Sequence, residues 1–218
     1  MFVRRFAEPD TPVLYDVCRR TADAGDDATH LHHEPSLLGH VWLGPYLTLE
    51  PELAWVVDGG SGRPLGYVVG TVDTVAFEEA LERSWWPELR ALYPETADRD
   101  GMLTSADEAL IRTIHHPYAQ QREVVEDHPS HLHIDLLPEA QGAGFGRVLI
   151  DTLCAALAAR GSTGVFVSVG ALNTRALAFY RHVAFVDLLA NDGAVWLGRR
   201  LIRDAAGAPA ATSRRPRR

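Results

Sequence analysis

The sequence predicts an α/β fold in which a central sheet is flanked by helices, and three neighbouring stretches carry this prediction. Residues 131–136 alternate between polar and apolar side chains, which is typical of a half-buried strand. Apolar residues in 148–157 recur with the period of an amphipathic helix. Residues 165–169 form a short apolar run rich in valine, which indicates another strand.

The N-terminal third predicts more strands of the same sheet. Phe2 to Phe6 alternates enough for a first strand, and the prolines and acidic residues of 8–12 are typical of a helix start. Residues 54–58 and 65–73 read as two strands joined by a glycine-rich hairpin turn. The segment 24–46 is polar and contains several loop-forming residues, so we expect a solvated loop there.

The middle of the chain is too long for a simple link between strands. Amphipathic stretches with a break at 94–101 predict a helical insertion over about 75–127, between the third and fourth strands. Near the C-terminus, the Asn-Asp-Gly turn at 191–193 precedes a final hairpin strand over 194–202. We therefore expect a single domain over 1–204 and a disordered basic tail over 205–218.

Composition narrows the class of protein. The fractions of hydrophobic (46%) and charged (23%) residues are those of an ordinary globular domain. The absence of a long apolar run and of a signal peptide predicts a cytoplasmic protein that does not enter a membrane. Cys18 and Cys154 are expected to be reduced core residues. The net charge is −8 although the C-terminal tail is rich in arginine, so the rest of the chain is acidic. An acidic surface argues against nucleic-acid binding.

All 21 cationic side chains are arginine, because the sequence contains no lysine. If the protein transfers acyl groups to amines, its own side chains therefore offer no amine acceptor.

The glycine-rich stretch 141–146 stands between the strand at 131–136 and the following helix. Glycines let a backbone approach a ligand closely, and the free N–H groups at a helix start attract a phosphate. The spacing does not match a Rossmann fingerprint, whose third glycine would fall on Arg147. A P-loop is excluded because no Gly-Lys-Ser/Thr follows.

The pattern Q-x-x-G-x-G at Gln141, Gly144 and Gly146 resembles the pyrophosphate loop of the GCN5-related N-acetyltransferases. A second stretch also resembles this family: a helix with Asn173 near its start and Phe179-Tyr180 near its end. One departure is Ala184, where the family usually has glycine. A left-handed helix end at alanine costs about 1 kcal/mol.

The resemblance implies the family's acyl-CoA N-acyltransferase fold, with a mixed sheet, and acetyl-CoA as co-substrate. It also implies the residues that bind acetyl-CoA. These are Leu136, Leu137, Gln141, Gly142, Ala143, Gly144, Phe145, Gly146, Arg147, Asn173, Phe179 and Tyr180. Arg181 is a further candidate for a phosphate contact.

The resemblance implies that an amine attacks the thioester directly, and it places Tyr180 as the donor to the leaving thiolate. The alternative for Tyr180 is a buried tyrosine that packs the helix against the sheet. His133 and Asp135 are the predicted base residues, and His131 and Asp73 stay open as alternatives. Two histidines one residue apart on this strand resemble the arrangement in the arylalkylamine N-acetyltransferases.

A narrower resemblance, over about Tyr15 to Leu188, is to the acetyltransferase-like C-terminal domain of the protein O-GlcNAc hydrolases. It includes the strand at 65–73, Trp85-Trp86-Pro87 and the strand at 131–135. We therefore predict an acetyl-CoA-dependent N-acetyltransferase; the alternative is a weak or inactive module that binds acyl-CoA or a protein.

The expected partners are acetyl-CoA and an amine acceptor, either a small molecule or a protein amine, and we allow for a homodimer. No metal is expected. The histidines at 30, 32 and 33 with Glu34 are spaced for a metal site, but spacing alone does not define one, and a solvated loop is favoured. Trp85 and Trp86 are candidates either for the wall of the acceptor pocket or for the core of the insertion.

Overall fold

The computed structural model describes residues 1–95 and 103–201 of the 218-residue chain. Within these residues seven strands form one sheet in the order β1-β2-β3-β4-β5-β7-β6. The strands are β1 (Phe2–Arg5), β2 (Ala54–Asp58), β3 (Pro64–Thr71), β4 (Ser130–Leu136), β5 (Gly164–Gly170), β6 (Val186–Ala190) and β7 (Ala194–Arg200). β4 and β5 are parallel and the other neighbouring strands are antiparallel, so the predicted mixed sheet is confirmed.

Helices pack on both faces of the sheet. They are α1 (Thr11–Arg19), α2 (Leu37–Trp42), α3 (Gly44–Leu49), α4 (Thr74–Ala80), α5 (Trp86–Leu92), α6 (Ser105–His115), α7 (Arg122–Asp127), α8 (Phe145–Ala159) and α9 (Thr174–His182). None of the helices that the structure describes is long and apolar enough to span a lipid bilayer.

The two largest hydrophobic clusters of the described residues lie on opposite faces of the sheet, because side chains alternate along the strands. Val56, Tyr67 and Val69 face the core shared with α1 to α6. Their neighbours Val57 and Val68 face the opposite core, which α8 and α9 complete. The sheet therefore separates two sets of helices.

The predicted insertion between the third and fourth strands is confirmed. It consists of α4 to α7, with a π-helical turn (Leu81–Trp85) between α4 and α5. Trp86 is buried in the first core, whereas Trp85 is half-buried and donates a hydrogen bond to the His40 carbonyl (2.9 Å). Part of the break predicted at 94–101 and all of the predicted tail lie outside the described residues.

The expectation of a loop over 24–46 is wrong for its second half. Residues 37–49 form α2 and α3, and Leu37, Leu38 and Tyr46 are buried. Glycine and proline suggested a loop, but Gly39 and Gly44 instead allow close packing. A Cβ atom at Gly39 would lie 2.2 Å from Tyr15 Cδ1, and one at Gly44 would lie 2.3 Å from the Tyr15 hydroxyl.

Candidate functional site

The parallel strands β4 and β5 open a gap in the sheet. They pair at Ser130 with Val165 and at His131 with Phe166, whereas β4 continues to Leu136 beside β3. The Leu137 N–H donates to the Leu65 carbonyl of the β3 segment (2.9 Å). Because backbone groups alternate in direction along an antiparallel pair, the backbone groups of Ile134 and Leu136 face the gap.

The loop after β4 turns its glycines toward open space. Gly142 and Gly144 have φ angles of +73° and +86°, a conformation that residues with a Cβ rarely adopt. A Cβ atom at either position would meet no other described atom within 4 Å. Gln141 braces the loop, because its Nε2 donates to the Leu136 carbonyl (2.7 Å). Backbone conformation and not crowding therefore requires glycine here.

Helix α8 begins directly at this loop and supplies unpaired N–H groups. The first helical hydrogen bond runs from the Val148 N–H to the Gly144 carbonyl (3.2 Å). The N–H groups of Phe145, Gly146 and Arg147 therefore point out of the helix end, where the helix dipole favours an anion. A Cβ atom at Gly146 would lie 3.0 Å from the Phe179 ring, so this third glycine lets α8 and α9 pack closely.

Helix α9 forms the wall that carries Tyr180. Asn173 caps the helix by accepting a hydrogen bond from the Ala176 N–H (2.9 Å), a role that asparagine often has at a helix start. The helix ends in a Schellman motif, with Phe185 N–H bonded to the Tyr180 carbonyl (3.0 Å) and Ala184 in the left-handed region at φ +70°. The Phe185 and Tyr180 rings pack at 5.4 Å.

The Tyr180 phenol keeps its proton and can act as a hydrogen-bond donor. Its side chain is 5% exposed, and burial together with nearby Asp135 raises its pKa well above the ordinary value. Its hydroxyl is bonded to none of the other described residues.

Asp135 projects from the face of β4 opposite Leu136. Its pKa is closer to neutral pH than that of His133. Burial raises its pKa to about 6, although the hydrogen bond from the Tyr67 hydroxyl opposes that rise. Burial lowers the pKa of the neighbouring His133 to about 4. At neutral pH, Asp135 is therefore largely ionised and His133 is neutral.

The two alternative bases are engaged elsewhere. His131 is buried, with Nε2 2.6 Å from the Tyr46 hydroxyl and Nδ1 2.8 Å from Thr74 Oγ1. Asp73 caps α4 by accepting from the Ala76 N–H (3.0 Å). Neither residue lines the cavity described below.

A cavity of about 830 Å³ joins these parts through the gap. The predicted residues that line it are His133, Asp135, Leu136, Gln141, Gly142, Gly144, Gly146, Arg147, Asn173, Phe179 and Tyr180. Leu137 does not line it, and its N–H and carbonyl are both bonded within the protein. Ala143 and Phe145 belong to the loop and helix start but are not among the lining residues.

Some of the arginines near the loop and α9 line the cavity and others do not, and the sequence did not reveal which. Arg147 lines the cavity and donates to the His182 carbonyl (2.8 Å). Arg181 pairs with Asp187 (2.7 Å) outside the cavity, so it is not positioned for a phosphate there. Arg175 was not predicted, yet it lines the cavity and donates to Gln141 Oε1 (3.2 Å).

Further lining residues were also missed, and those on the α1 and α2 side include Cys18, Thr21, Leu38 and Trp42. They come from α1, the turn after it and α2. The apolar run at 37–43 was the available signal, because an apolar stretch of that length indicates a packed element and not a solvated loop. Trp85 and Trp86 do not line the cavity.

The histidines at 30–33 have structural partners. His32 Nδ1 lies 2.9 Å from Asp107 Oδ1, and the His33 N–H donates to Asp107 Oδ2 (3.0 Å). These bonds tie the segment to the start of α6. Within residues 1–95 and 103–201, no group of three or more His, Cys, Asp or Glu side chains is arranged to hold a metal ion.

Comparisons with known proteins agree with this architecture. A family model described as FR47-like protein matches residues 126–196. The O-GlcNAcases of Rattus norvegicus and Mus musculus are each 25% identical over 203 residues, which covers 91% of this chain and 22% of theirs. The chain thus spans about a fifth of the length of these relatives.

Solved structures give the same result. The crystal structure of SsHAT is 37% identical, with a TM-score of 0.82, and the match covers 91% of this chain and 97% of that one. A phosphinothricin acetyltransferase of the GNAT superfamily from Sinorhizobium meliloti, in complex with AcCoA, has a TM-score of 0.55 at 14% identity, covering 97% and 94% of the two chains. This second likeness supports the fold alone. The chain belongs to the GCN5-related N-acetyltransferase superfamily, and it resembles the acetyltransferase-like domain of O-GlcNAcase.

Proposed function

We propose that the protein is an N-acetyltransferase that transfers the acetyl group of acetyl-CoA to a primary amine by direct attack. One observation carries the proposal. The cavity that begins at the helix N-terminus and the left-handed glycines passes through the gap between β4 and β5, and it contains both Tyr180 and Asp135.

The residues around the loop fit a diphosphate ester. The N–H groups of Phe145, Gly146 and Arg147 offer unpaired donors at the positive end of a 15-residue helix. Gly142 and Gly144, with Ala143 between them, leave space for the phosphates beside the backbone. Asn173, Arg175 and Phe179 would contact the cofactor from the α9 side.

The open edge of β4 fits an extended pantetheine arm. Ile134 and Leu136 direct backbone groups into the gap, and such groups bind an extended chain as an added strand would. The Leu136 carbonyl already accepts from Gln141, which leaves the Leu136 N–H to stabilise the negative charge that develops on the acyl oxygen. Leu137 is not part of this proposal.

Asp135 and Tyr180 have separate roles in the proposed reaction, at the amine and at the leaving sulfur. A bound thioester supplies an electrophilic carbonyl and a thiolate leaving group. Asp135 is the proposed base that accepts the amine proton, directly or through water, because its pKa of about 6 keeps it ionised at neutral pH. His133 is the weaker base, and we assign it to contact the amine or the intervening water. Tyr180 donates a hydrogen bond to the leaving sulfur.

The test combines calorimetry with a thiol-release assay. Acetyl-CoA should bind and raise the melting temperature. Addition of a panel of amines should accelerate CoA release, and Tyr180→Phe should lower kcat by about 10-fold or more with little change in acetyl-CoA affinity. Tyr118→Phe is the matched control, because Tyr118 is 76% exposed and outside the cavity. Because the chain has no lysine, its own side chains add no amine background.

The O-GlcNAcase resemblance supports a second candidate, an acyl-CoA-binding or protein-interaction module with little or no turnover. Binding of acetyl-CoA without acceleration by any amine would favour this module over the enzyme.

A further inference from the structure

Arg175 lies between the loop after β4 and the turn after α1. Its Nη2 donates to Gln141 Oε1 (3.2 Å) in the loop. The guanidinium also lies against Gly25 of the turn, where a Cβ atom would be 3.1 Å from the same Nη2. Ala24 and Gly25 line the cavity on the side of α1 and α2, which we call the acceptor side because Asp135 faces it. Arg175 therefore contacts two distant segments of the cavity lining.

The position of Arg175 in α9 is not one that stabilises the helix. Arg175 lies in the first turn of α9, where the helix dipole disfavours a positive charge. It forms no ion pair with the residues that the structure describes, and its bond to Gln141 is its one hydrogen bond with them. Arg181, in the last turn of the same helix, pairs with Asp187 instead. The polar contact of Arg175 is thus with the loop and not with its own helix.

The bond from Arg175 fixes the direction in which the Gln141 amide faces. A guanidinium carries only N–H donors, so the Gln141 atom that it contacts must be the acceptor Oε1. The Nε2 of the same amide then faces the Leu136 carbonyl and donates to it (2.7 Å). A reversed amide would place two donors opposite each other at one end and two acceptors at the other. Arg175, Gln141 and Leu136 are therefore joined by two hydrogen bonds that end on β4.

The end of this chain lies at the proposed reaction centre. The Leu136 N–H is the proposed donor to the acyl oxygen, and the Gln141 bond ties Leu136 to the loop proposed to hold the diphosphate. The thioester and the diphosphate belong to one molecule, so the protein must hold the Leu136 N–H and the loop at a matching separation. A misplacement of about 1 Å can cost about 100-fold in rate.

We propose that Arg175 is a positioning residue for acetyl transfer, which acts through the Gln141 amide to hold Leu136 in register with the phosphate loop. This inference rests on the proposed acetyltransferase function. It is separate from the contact between Arg175 and the cofactor proposed above, because it requires no phosphate on the acyl donor.

The first experiment replaces acetyl-CoA with acetyl-pantetheine, which has the thioester and the pantetheine arm but no phosphate. A phosphate contact by Arg175 cannot affect this donor. With the amine that wild type uses best, Arg175→Ala should lower kcat/KM for acetyl-pantetheine by about 10-fold. Arg122→Ala is the control and should retain the wild-type value, because the Arg122 side chain is 92% exposed and outside the cavity.

A double-mutant cycle with the same donor tests the route through Gln141. Gln141→Ala should also lower kcat/KM by about 10-fold, and the double variant should fall no further, because Arg175 acts through an amide that is already absent. Independent effects would multiply to about 100-fold. Gln141→Glu is the variant of the same shape: its carboxylate accepts from Arg175 but cannot donate to the Leu136 carbonyl, so it should lose as much rate as Gln141→Ala.

The outcomes separate this positioning role from the proposed function. A wild-type kcat/KM for acetyl-pantetheine in Arg175→Ala would overturn the role and leave Arg175 as a phosphate contact or a surface residue. Multiplied effects in the double variant, or a wild-type rate in Gln141→Glu, would overturn the route through Gln141. If no amine accelerates the release of CoA from acetyl-CoA by the wild-type protein, the proposed function itself fails.

Discussion

Tyr67 on β3 and Asp135 on β4 are directly paired across the sheet, and the Tyr67 phenol donates a hydrogen bond to the Asp135 carboxylate. Tyr67 is fully buried, and burial raises its pKa well above the ordinary value, so it remains a donor at any physiological pH. This bond lowers the pKa of Asp135 against the stronger effect of burial, and the balance is a carboxyl group with a pKa of about 6. The proposed base is thus tuned by a residue outside the cavity lining.

Replacement of Tyr67 by phenylalanine should move the acid limb of the pH–rate profile to higher pH. The variant removes a hydrogen bond to a charged group, worth about 1.5 kcal/mol, which corresponds to about one pH unit in the pKa of Asp135. The measurement is kcat/KM against pH for wild type and Tyr67→Phe with the same amine. An acid limb that does not move in Tyr67→Phe would show that Asp135 is not the titrating base.

Gly144 and Gly161 lie at opposite ends of α8. Alanine variants at these two positions form a matched pair that tests the proposed cofactor loop. Both have positive φ angles, +86° and +96°, and a Cβ atom at either would meet open space. Alanine at either position should therefore cost about 1 kcal/mol of stability. We expect Gly144→Ala alone to weaken acetyl-CoA binding, by about 10-fold or more, because only this side chain would occupy the space proposed for the phosphates. Calorimetric titration of both variants with CoA tests this, and equal affinities would contradict the proposed phosphate site.

Much of the cofactor side could be predicted because its determinants are local in sequence. Left-handed glycines before a helix, an asparagine cap at Asn173 and a hairpin turn at 191–193 are each specified by a few adjacent residues. The gap beside β4 is different. It arises from where β4 and β5 stop pairing, and no local residue pattern specifies that point.

The acceptor side could not be predicted because distant segments build it. Trp42 meets His133 across more than 90 residues of sequence, after Gly39 and Gly44 let α2 and α3 pack on Tyr15. Glycine signals a turn when only neighbours are considered, so the same residues that create the close packing concealed it. Arg175 and Arg181 look equivalent in sequence, yet one bonds to Gln141 in the cavity and the other to Asp187 outside it.

Burial of His131 makes the stability of the fold sensitive to acid. The Thr74 hydroxyl donates to the Pro129 carbonyl (2.8 Å), so His131 Nδ1–H donates to Thr74 Oγ1 and Nε2 accepts from Tyr46. This neutral tautomer is fully satisfied. Burial, with a smaller contribution from His133, lowers the pKa of His131 to about 3, compared with 6.5 for an ordinary histidine. The unfolded chain therefore takes up a proton below pH 6.5 that the folded chain does not bind, and stability falls as the pH falls toward 3.

Between pH 6.5 and pH 5, this difference in proton binding should cost about 2 kcal/mol in the free energy of unfolding. The raised pKa of Asp135 has the opposite effect over the same range, because the folded carboxyl gains a proton first. Urea unfolding of wild type and His131→Gln at several pH values separates the two, since Asp135 is common to both proteins. The His131→Gln variant should lose less stability on acidification than wild type. Parallel pH dependences for wild type and His131→Gln would exclude His131 as the source.

Replacement of Ala184 by glycine should stabilise the protein, even though glycine substitutions usually lower stability. The Schellman motif that ends α9 requires the left-handed conformation at this position, and Ala184 adopts it at φ +70°. The same motif ends α8 with Gly161, where Ser162 N–H bonds to the Leu157 carbonyl (3.1 Å). Ala184→Gly should therefore add about 1 kcal/mol to the free energy of unfolding and raise the Tm by about 2–4 °C.

Ala178→Gly is the control, because Ala178 is an exposed interior position of the same helix, and this variant should lower the Tm by a similar amount. Because Ala184 is exposed and contributes no atom to the cavity, kcat should stay at the wild-type value, and a loss of activity would mean that glycine releases the Tyr180 end of α9.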